Sequence, residues 1–368
     1  MCYNATLLLE YAIGKEVTMR TEMTESRISN THERNTMKGT VTRKTHGIYT
    51  VTTDDGQYLC RISNKLRKEL VYPIASNRSL RRRVVTVEEI KKVDPVAIGD
   101  DVMFKLGEDG VNGMIQEILP RKNYMSRLGS GRKPIEQVIV SNIDQAIIIA
   151  SATYPKTNMF TIDRYLADAE MSKIPSVILV TKVDLVDREK IEKEFCIYKD
   201  IGYPVVFTSS IDEVGIDDAK DILMDKRSVL LGRSGVGKSS LLNAIQPELG
   251  LKVREVHNKT GEGMHTTTHL EMYSLDMGGE IVDTPGMREF GLWRCTEMDW
   301  ADLFPEMRSL VDKCRFGESC RHVSEPGCAV IEAVSDGRIA VSRYESYCKL
   351  AETSEELLKS LREGRKPR

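Results

Sequence analysis

No stretch of this sequence approaches the roughly 18 consecutive apolar residues that cross a membrane. The Leu7-Leu8-Leu9 run stops at Glu10, which makes a poor core for a secretory signal. Nor is there an excess of either charge: 53 Lys and Arg stand against 55 Asp and Glu, a net charge of −2. No global field therefore favours nucleic acid, and any such surface has to be a local patch. Aromatic residues make up 6% of the chain, which favours phosphate and shape recognition of RNA over base stacking. The eight cysteines come without a secretion signal. That points away from a disulfide framework and toward a reducing cytoplasm, with the thiols buried or bound to metal.

What is present fills 368 residues, room for two or three domains. The stretch Gly232-Arg233-Ser234-Gly235-Val236-Gly237-Lys238-Ser239, continued by Ser240, fits the phosphate-binding pattern G-x-x-x-x-G-K-[ST]. It follows the apolar Ser228–Leu231 and opens a helical stretch over 239–245, the strand–loop–helix setting the pattern requires. Glycines let successive N–H groups converge on phosphate oxygens, and the helix N-terminus adds partial positive charge. Lys238 would reach the β and γ phosphates, and Ser239 would ligate Mg²⁺.

A guanine-nucleotide site needs a base reader and a γ-phosphate sensor as well. Thr181-Lys182-Val183-Asp184 ends the apolar run Ser176–Val180. The Asp184 carboxylate can accept from guanine N1–H and the 2-amino group; adenine lacks the second donor and leaves the acceptor unpaired. Ser209 and Ser210, ending a strand-like segment from Tyr203, would lie beside the base. Asp283-Thr284-Pro285-Gly286 supplies the sensor, with Asp283 on Mg²⁺ through water and the Gly286 N–H on the γ-phosphate. Taken singly, each short motif also fits a strand end with a polar turn; together they are far more specific.

Their order is base reader, P-loop, sensor, whereas ordinary small GTPases begin with the P-loop. Nucleotide sites of open parallel sheets lie at the carboxyl ends of the strands, so cutting and rejoining the chain elsewhere leaves the loops together. From Met37 to Leu358 the sequence resembles the RsgA family of circularly permuted GTPases. The marks are Pro120-Arg121-Lys122-Asn123, Thr181–Leu185, Gly232–Ser240, His265-Thr266-Thr267-Thr268, Asp283–Gly286 and the cysteines of 314–328.

The resemblance implies GTP hydrolysis in late maturation of the small (30S) ribosomal subunit, with that subunit and its rRNA as partner and activator. It implies that Thr266 or Thr267 completes the Mg²⁺ shell. Many GTPases place a water-orienting glutamine after the sensor glycine, where this chain has Met287, so unaided hydrolysis should be slow. His265, in the glycine-rich switch, is the substitute, and the resemblance supports it; the expected catalytic groups are Lys238, His265 and Gly286. The family carries Asn where Thr181 stands. Two further readings use the same residues: an RNA-binding checkpoint with GTP as a conformational ligand, and a permuted GTPase of large-subunit assembly.

Cys314, Cys320, His322 and Cys328 form a Cys₃His set suited to a closed structural Zn²⁺ site. Five residues separate the first two cysteines, where the family has four between them. Cys2, Cys60, Cys196, Cys295 and Cys348 lack ligand spacing.

The expected architecture is α/β: a circularly permuted P-loop GTPase domain (123–295) between an N-terminal OB-fold β-barrel (37–122) and a C-terminal zinc-binding helical domain with a basic tail (296–368). Residues 1–36 read as a disordered extension. The barrel loop carries Arg78, Arg81, Arg82 and Arg83, with Arg61, Lys65, Arg67 and Lys68 upstream, a basic group able to track an RNA backbone. The expected protein is a cytoplasmic monomer with no membrane contact.

Overall fold

Two runs, Gln145–Ser151 and Ser176–Thr181, are apolar almost throughout, and every residue in them is buried. Such continuous runs belong to parallel strands covered on both faces. They are β8 and β9 of a computed structural model that describes residues 36–45, 47–64, 66, 95–128, 136–251, 270–283 and 300–362.

The first five strands are β1 (Thr36–Thr45), β2 (Ile48–Thr53), β3 (Gly56–Ile62), β4 (Asp101–Leu106) and β5 (Asn112–Ile118). They pair in the order β1-β2-β3-β5-β4, and β4 returns to β1 and closes the barrel. β3 and β5 run parallel, while the β1–β2, β2–β3, β4–β5 and β1–β4 pairs are antiparallel. That topology fits the expected OB barrel. Val41, Tyr49, Val51, Cys60, Phe104 and Ile115 fill it. Thr36 pairs with Lys105, so the first strand takes in the last residue of the expected extension. The rest of that extension lies outside the described residues.

β6 (Tyr124–Leu128) and β7 (Glu136–Ser141) form an antiparallel pair between barrel and nucleotide fold. Next come β8, helix α1 (Met159–Met171), β9, α2 (Arg188–Asp200), β10 (Val205–Phe207), α3 (Ile216–Leu223), β11 (Arg227–Leu231), α4 (Lys238–Ile245), β12 (Leu270–Ser274) and β13 (Glu280–Asp283). β10, β9, β8, β11 and β13 are parallel neighbours. β12 lies antiparallel beside β13 and on its other side pairs with β1, at Arg43↔Glu271 and Lys44↔Leu270. Barrel and nucleotide sheet are therefore one continuous hydrogen-bonded surface.

A buried polar clamp reinforces that junction. The Asp100 carboxylate accepts from Arg121 Nε and Nη2, both at 2.6 Å, from Ser141 Oγ at 2.6 Å and from the Ala97 amide at 2.8 Å. Asn123 bridges to both backbone groups of Ile143. The segment Arg121–Asn123, a family mark in the sequence, ties the loop before β4 to the turn between β7 and β8.

Side chains cap α1 and α2: Asn158 Oδ1 accepts from the Thr161 amide before α1, and Asp187 Oδ1 accepts from the Glu189 and Lys190 amides before α2. The C-terminal module holds α5 (Pro305–Arg308), α6 (Ala329–Ser335) and α7 (Val341–Arg362). Trp300, Leu303, Phe304, Met307, Val330, Ala333, Tyr347 and Leu350 build its core, which also takes in Ala167 of α1. No helix among the described residues is long and apolar enough to cross a membrane.

Candidate functional site

β8, β9, β10, β11 and β13 run parallel, so their carboxyl ends lie along one edge of the sheet, where such folds bind ligands. The loop after β11 is the Gly232–Ser239 pattern. Gly235 and Gly237 have φ of +81° and +99°, a region closed to most side chains. A Cβ at Gly232 would come within 2.9 Å of the Ile149 carbonyl, so the loop lies hard against β8. Lys238 opens α4 and its Nζ donates to the carbonyls of Gly232 (2.7 Å) and Arg233 (3.0 Å). Burial lowers its pKa, and the nearby Asp283 charge raises it. Asp283 ends β13 opposite Leu230 of β11, one strand from the start of the loop. Ser234 is exposed; Ser239 and Ser240 are half-buried in the first turn of α4.

Two residues of the expected reader are bonded to that loop. Thr181 Oγ1 donates to the Val236 carbonyl at 2.5 Å and to the Ala150 carbonyl at 3.3 Å. Lys182, in a left-handed conformation (φ +61°), donates from Nζ to the Gly235 carbonyl at 2.8 Å and to the Tyr154 carbonyl at 2.9 Å. Burial lowers the Lys182 pKa, and Asp184 opposes this. Thr181 thus braces the loops by its hydroxyl. Asp184 follows in a short 3-10 turn over Val183–Leu185 that leads into α2.

Ser209 is fully buried, and its Oγ accepts from the amides of Ile211 and Asp212, so its side chain shapes its own loop. Ser210 is half-buried beside it. Tyr154 was not legible in the sequence: it contributes a carbonyl, which every residue type carries. His265, Thr266, Thr267, Gly286 and Met287 lie outside the described residues, as do Arg78, Arg81, Arg82, Arg83, Lys65, Arg67 and Lys68. Arg61 is exposed on β3.

The metal candidates meet in the C-terminal module. The ligand atoms of Cys314, Cys320, His322 and Cys328 all lie within 4.8 Å of one another, and all four residues are buried. Cys314 Sγ stands 3.7 Å from Cys328 Sγ, and His322 Nδ1 stands 3.3 and 3.4 Å from the two sulfurs. Tetrahedral bonds of zinc length to sulfur and nitrogen separate ligand atoms by roughly 3.3–3.8 Å, so the donor set fits Zn²⁺. His322 has φ +56°, and α7 holds its turn: Tyr344 Oη donates to the His322 carbonyl and Tyr347 Oη to the Arg321 carbonyl, both at 2.8 Å. The five-residue spacing from Cys314 to Cys320 is taken up by a 3-10 turn over Gly317–Ser319. Of the other cysteines, Cys60 is buried in the barrel, Cys196 exposed and Cys348 half-buried; Cys2 and Cys295 lie outside the described residues.

A family model described as RsgA GTPase matches residues 118–293. A second, described as a 50S ribosome-binding GTPase, matches 227–366. The small ribosomal subunit biogenesis GTPase RsgA 2 of Bacteroides thetaiotaomicron is 37% identical over 324 residues, 87% of this chain and 98% of the relative. The chain belongs to the RsgA GTPase family. The Chlorobaculum parvum member, a small ribosomal subunit biogenesis GTPase RsgA, is 37% identical over 330 residues and is matched over 99% of its length. Among solved structures, YjeQ from Thermotoga maritima superposes with a TM-score of 0.62 at 32% identity, covering 88% of this chain and 99% of YjeQ. YloQ, a circularly permuted GTPase, gives 0.59 at 28%, covering 92% and 98%. The fold of this chain is that of a circularly permuted GTPase.

Proposed function

We propose that this GTPase converts GTP and water to GDP and phosphate during late maturation of the small ribosomal subunit, in the cytoplasm, with the subunit as activator. One observation carries the reading of the site: Thr181 and Lys182 tie the base reader to the carbonyls of Val236 and Gly235 in the phosphate loop. Base recognition and phosphate binding are thereby held in one rigid frame. Asp184 reads guanine, Gly232–Ser240 cradles the phosphates, and Lys238 carries charge to the β and γ oxygens. Ser239, Asp283 and one of Thr266 and Thr267 would hold Mg²⁺, which supplies charge neutralisation when bound. His265 orients water, and the Gly286 amide senses the γ-phosphate.

The same reading divides the chain into a barrel (37–122), a GTPase domain (123–295) and a zinc module (296–368). The barrel, its basic loop and the module serve as rRNA-facing surfaces on the subunit. Zn²⁺ on Cys314, Cys320, His322 and Cys328 would be structural, because protein groups fill all four positions.

Phosphate release with purified small subunits, with large subunits and with neither tests the activity and the partner together. Acceleration by the small subunit alone is expected. Acceleration by the large subunit alone would transfer the protein to large-subunit assembly, and no turnover in any arm would leave a nucleotide-binding checkpoint. In single-turnover reactions at saturating subunit, His265→Ala should lose most of the acceleration while keeping GTP affinity. An equal rise in both proteins would make His265 a bystander.

A further inference from the structure

Arg343 is among the largest fully buried side chains, at 1% exposure, and it belongs to neither the nucleotide loops nor the metal cluster. It projects from α7. Its Nε and Nη2 bond both oxygens of Glu306 in α5, at 2.7 and 3.2 Å. Its Nη1 bonds Asp163 Oδ1 of α1 at 2.6 Å, and its guanidinium lies 4.5 Å above the Phe304 ring. Asp163 Oδ1 also accepts from Tyr198 Oη of α2 at 2.8 Å. Burial pushes the Asp163 carboxyl up, and the Arg343 charge pulls it back down.

One buried carboxylate thus joins three helices. The two belonging to the nucleotide domain bracket the base reader. α1 is preceded by the loop whose Tyr154 carbonyl anchors Lys182 Nζ. Thr157, just before α1, fixes that loop to β8: its Oγ1 accepts from the Ser151 amide at 2.9 Å, and its amide donates to the Ser151 carbonyl. α2 begins four residues after Asp184, behind the Asp187 cap. A shift of α1 against α2 would move the Tyr154 carbonyl and Asp184 relative to each other. A second tie, Arg308 Nη2 to Glu170 Oε2 at 2.9 Å, joins module and α1 farther along and is more exposed.

Buried ion pairs are a weak source of stability, since well-packed apolar replacements do as well, and their clearest use is to fix one arrangement. We propose that Arg343 is a positioning residue for guanine recognition: through Asp163 it holds α1 and α2, and so the Lys182–Asp184 reader, in register with the zinc module. The inference rests on Thr181–Asp184 being the base reader. It makes the metal module a part of the nucleotide site's frame, so that a surface gripping the module acts on nucleotide affinity.

The test measures affinity for a fluorescent GDP analogue, kcat at saturating GTP and zinc content, all on the full chain. Arg343→Met should weaken GDP binding between about two- and thirtyfold, the usual span for a residue acting through a network. Turnover at saturating GTP should stay within about twofold, because the phosphate cradle is untouched. Arg343→Lys should recover part of the loss. Tyr198→Phe, which keeps the ring and removes one bond to Asp163, should weaken GDP in the same direction by less; it serves if the methionine variant does not fold. Ile339→Ala, in the module's own core, should retain wild-type affinity. Unchanged GDP affinity in both Arg343→Met and Tyr198→Phe overturns the inference, as does an equal loss in Ile339→Ala. Asp184→Asn separates the two readings. Loss of guanine preference there, with no effect at Arg343, overturns this inference alone. Guanine preference that survives Asp184→Asn overturns the reader and this inference with it.

Discussion

Thr181→Val tests the frame of the nucleotide site with the least change of shape. Thr181 is 4% exposed and Val236 1%, so the 2.5 Å bond between hydroxyl and carbonyl is shielded from water. Valine keeps the branched shape but cannot donate. A buried acceptor that loses its partner costs about 1–3 kcal/mol, more than the net worth of the bond, because solvent cannot replace the donor. The weaker bond to the Ala150 carbonyl, at 3.3 Å, goes as well but adds less at that length. The cost should fall where the hydroxyl acts, at the contact between β9 and the phosphate loop. Hydrogen exchange read by mass spectrometry resolves this, which a single melting curve of a multidomain chain does not. Protection in peptides spanning β9 and Gly232–Ser239 should fall between roughly five- and 150-fold, the equivalent of that energy. Peptides from the barrel and from α6 and α7 should keep wild-type protection. A local change under about 0.5 kcal/mol, the range of an inconsequential surface substitution, would refute the reasoning, and so would an equal loss over the whole chain.

Lys238→Ala should cut turnover by a factor of about 10² or more while circular dichroism stays unchanged, because the ammonium opposes charge that grows in the transition state; near-normal turnover would remove Lys238 from the mechanism. Metal analysis of freshly purified protein should give one zinc per chain, and chelation should expose α6 and α7 to protease before the barrel; a chain without zinc would reduce the Cys₃His set to a buried thiol cluster. Arg121→Ala leaves the fully buried Asp100 without its cation, a loss of about 3–5 kcal/mol expected to open the barrel junction. Exchange at β1 and β4 reports it, and unchanged protection there would show that the clamp carries no stability.

Much of the site could be read without coordinates. The P-loop, the Thr-Lys-Val-Asp strand end and the Cys₃His set are local patterns in which residue type and spacing are the chemistry, and each lies on the element its pattern implies. The barrel strands were legible for a similar reason: short β-rich runs between turns leave few ways to bury one face. Roles carried by backbone carbonyls were not legible. Tyr154, Gly235 and Val236 accept bonds through groups that every residue has. Arg121 and Arg343 were equally hidden, since in sequence a buried arginine looks like a surface one.

What the sequence determined by itself, then, was the set of candidate motifs and their permuted order, because patterns for phosphate, guanine and metal recognition each depend on a few residues close together in the chain. Tertiary structure alone decided which parts touch. The reader reaches the phosphate loop across 53 and 55 residues, and Arg343 reaches Asp163 across 180. Barrel and nucleotide sheet merge only because β1 finds the free edge of β12. Contacts at such separations depend on the path of the whole chain and on which strand edges and buried charges remain to be paired once every local element has formed.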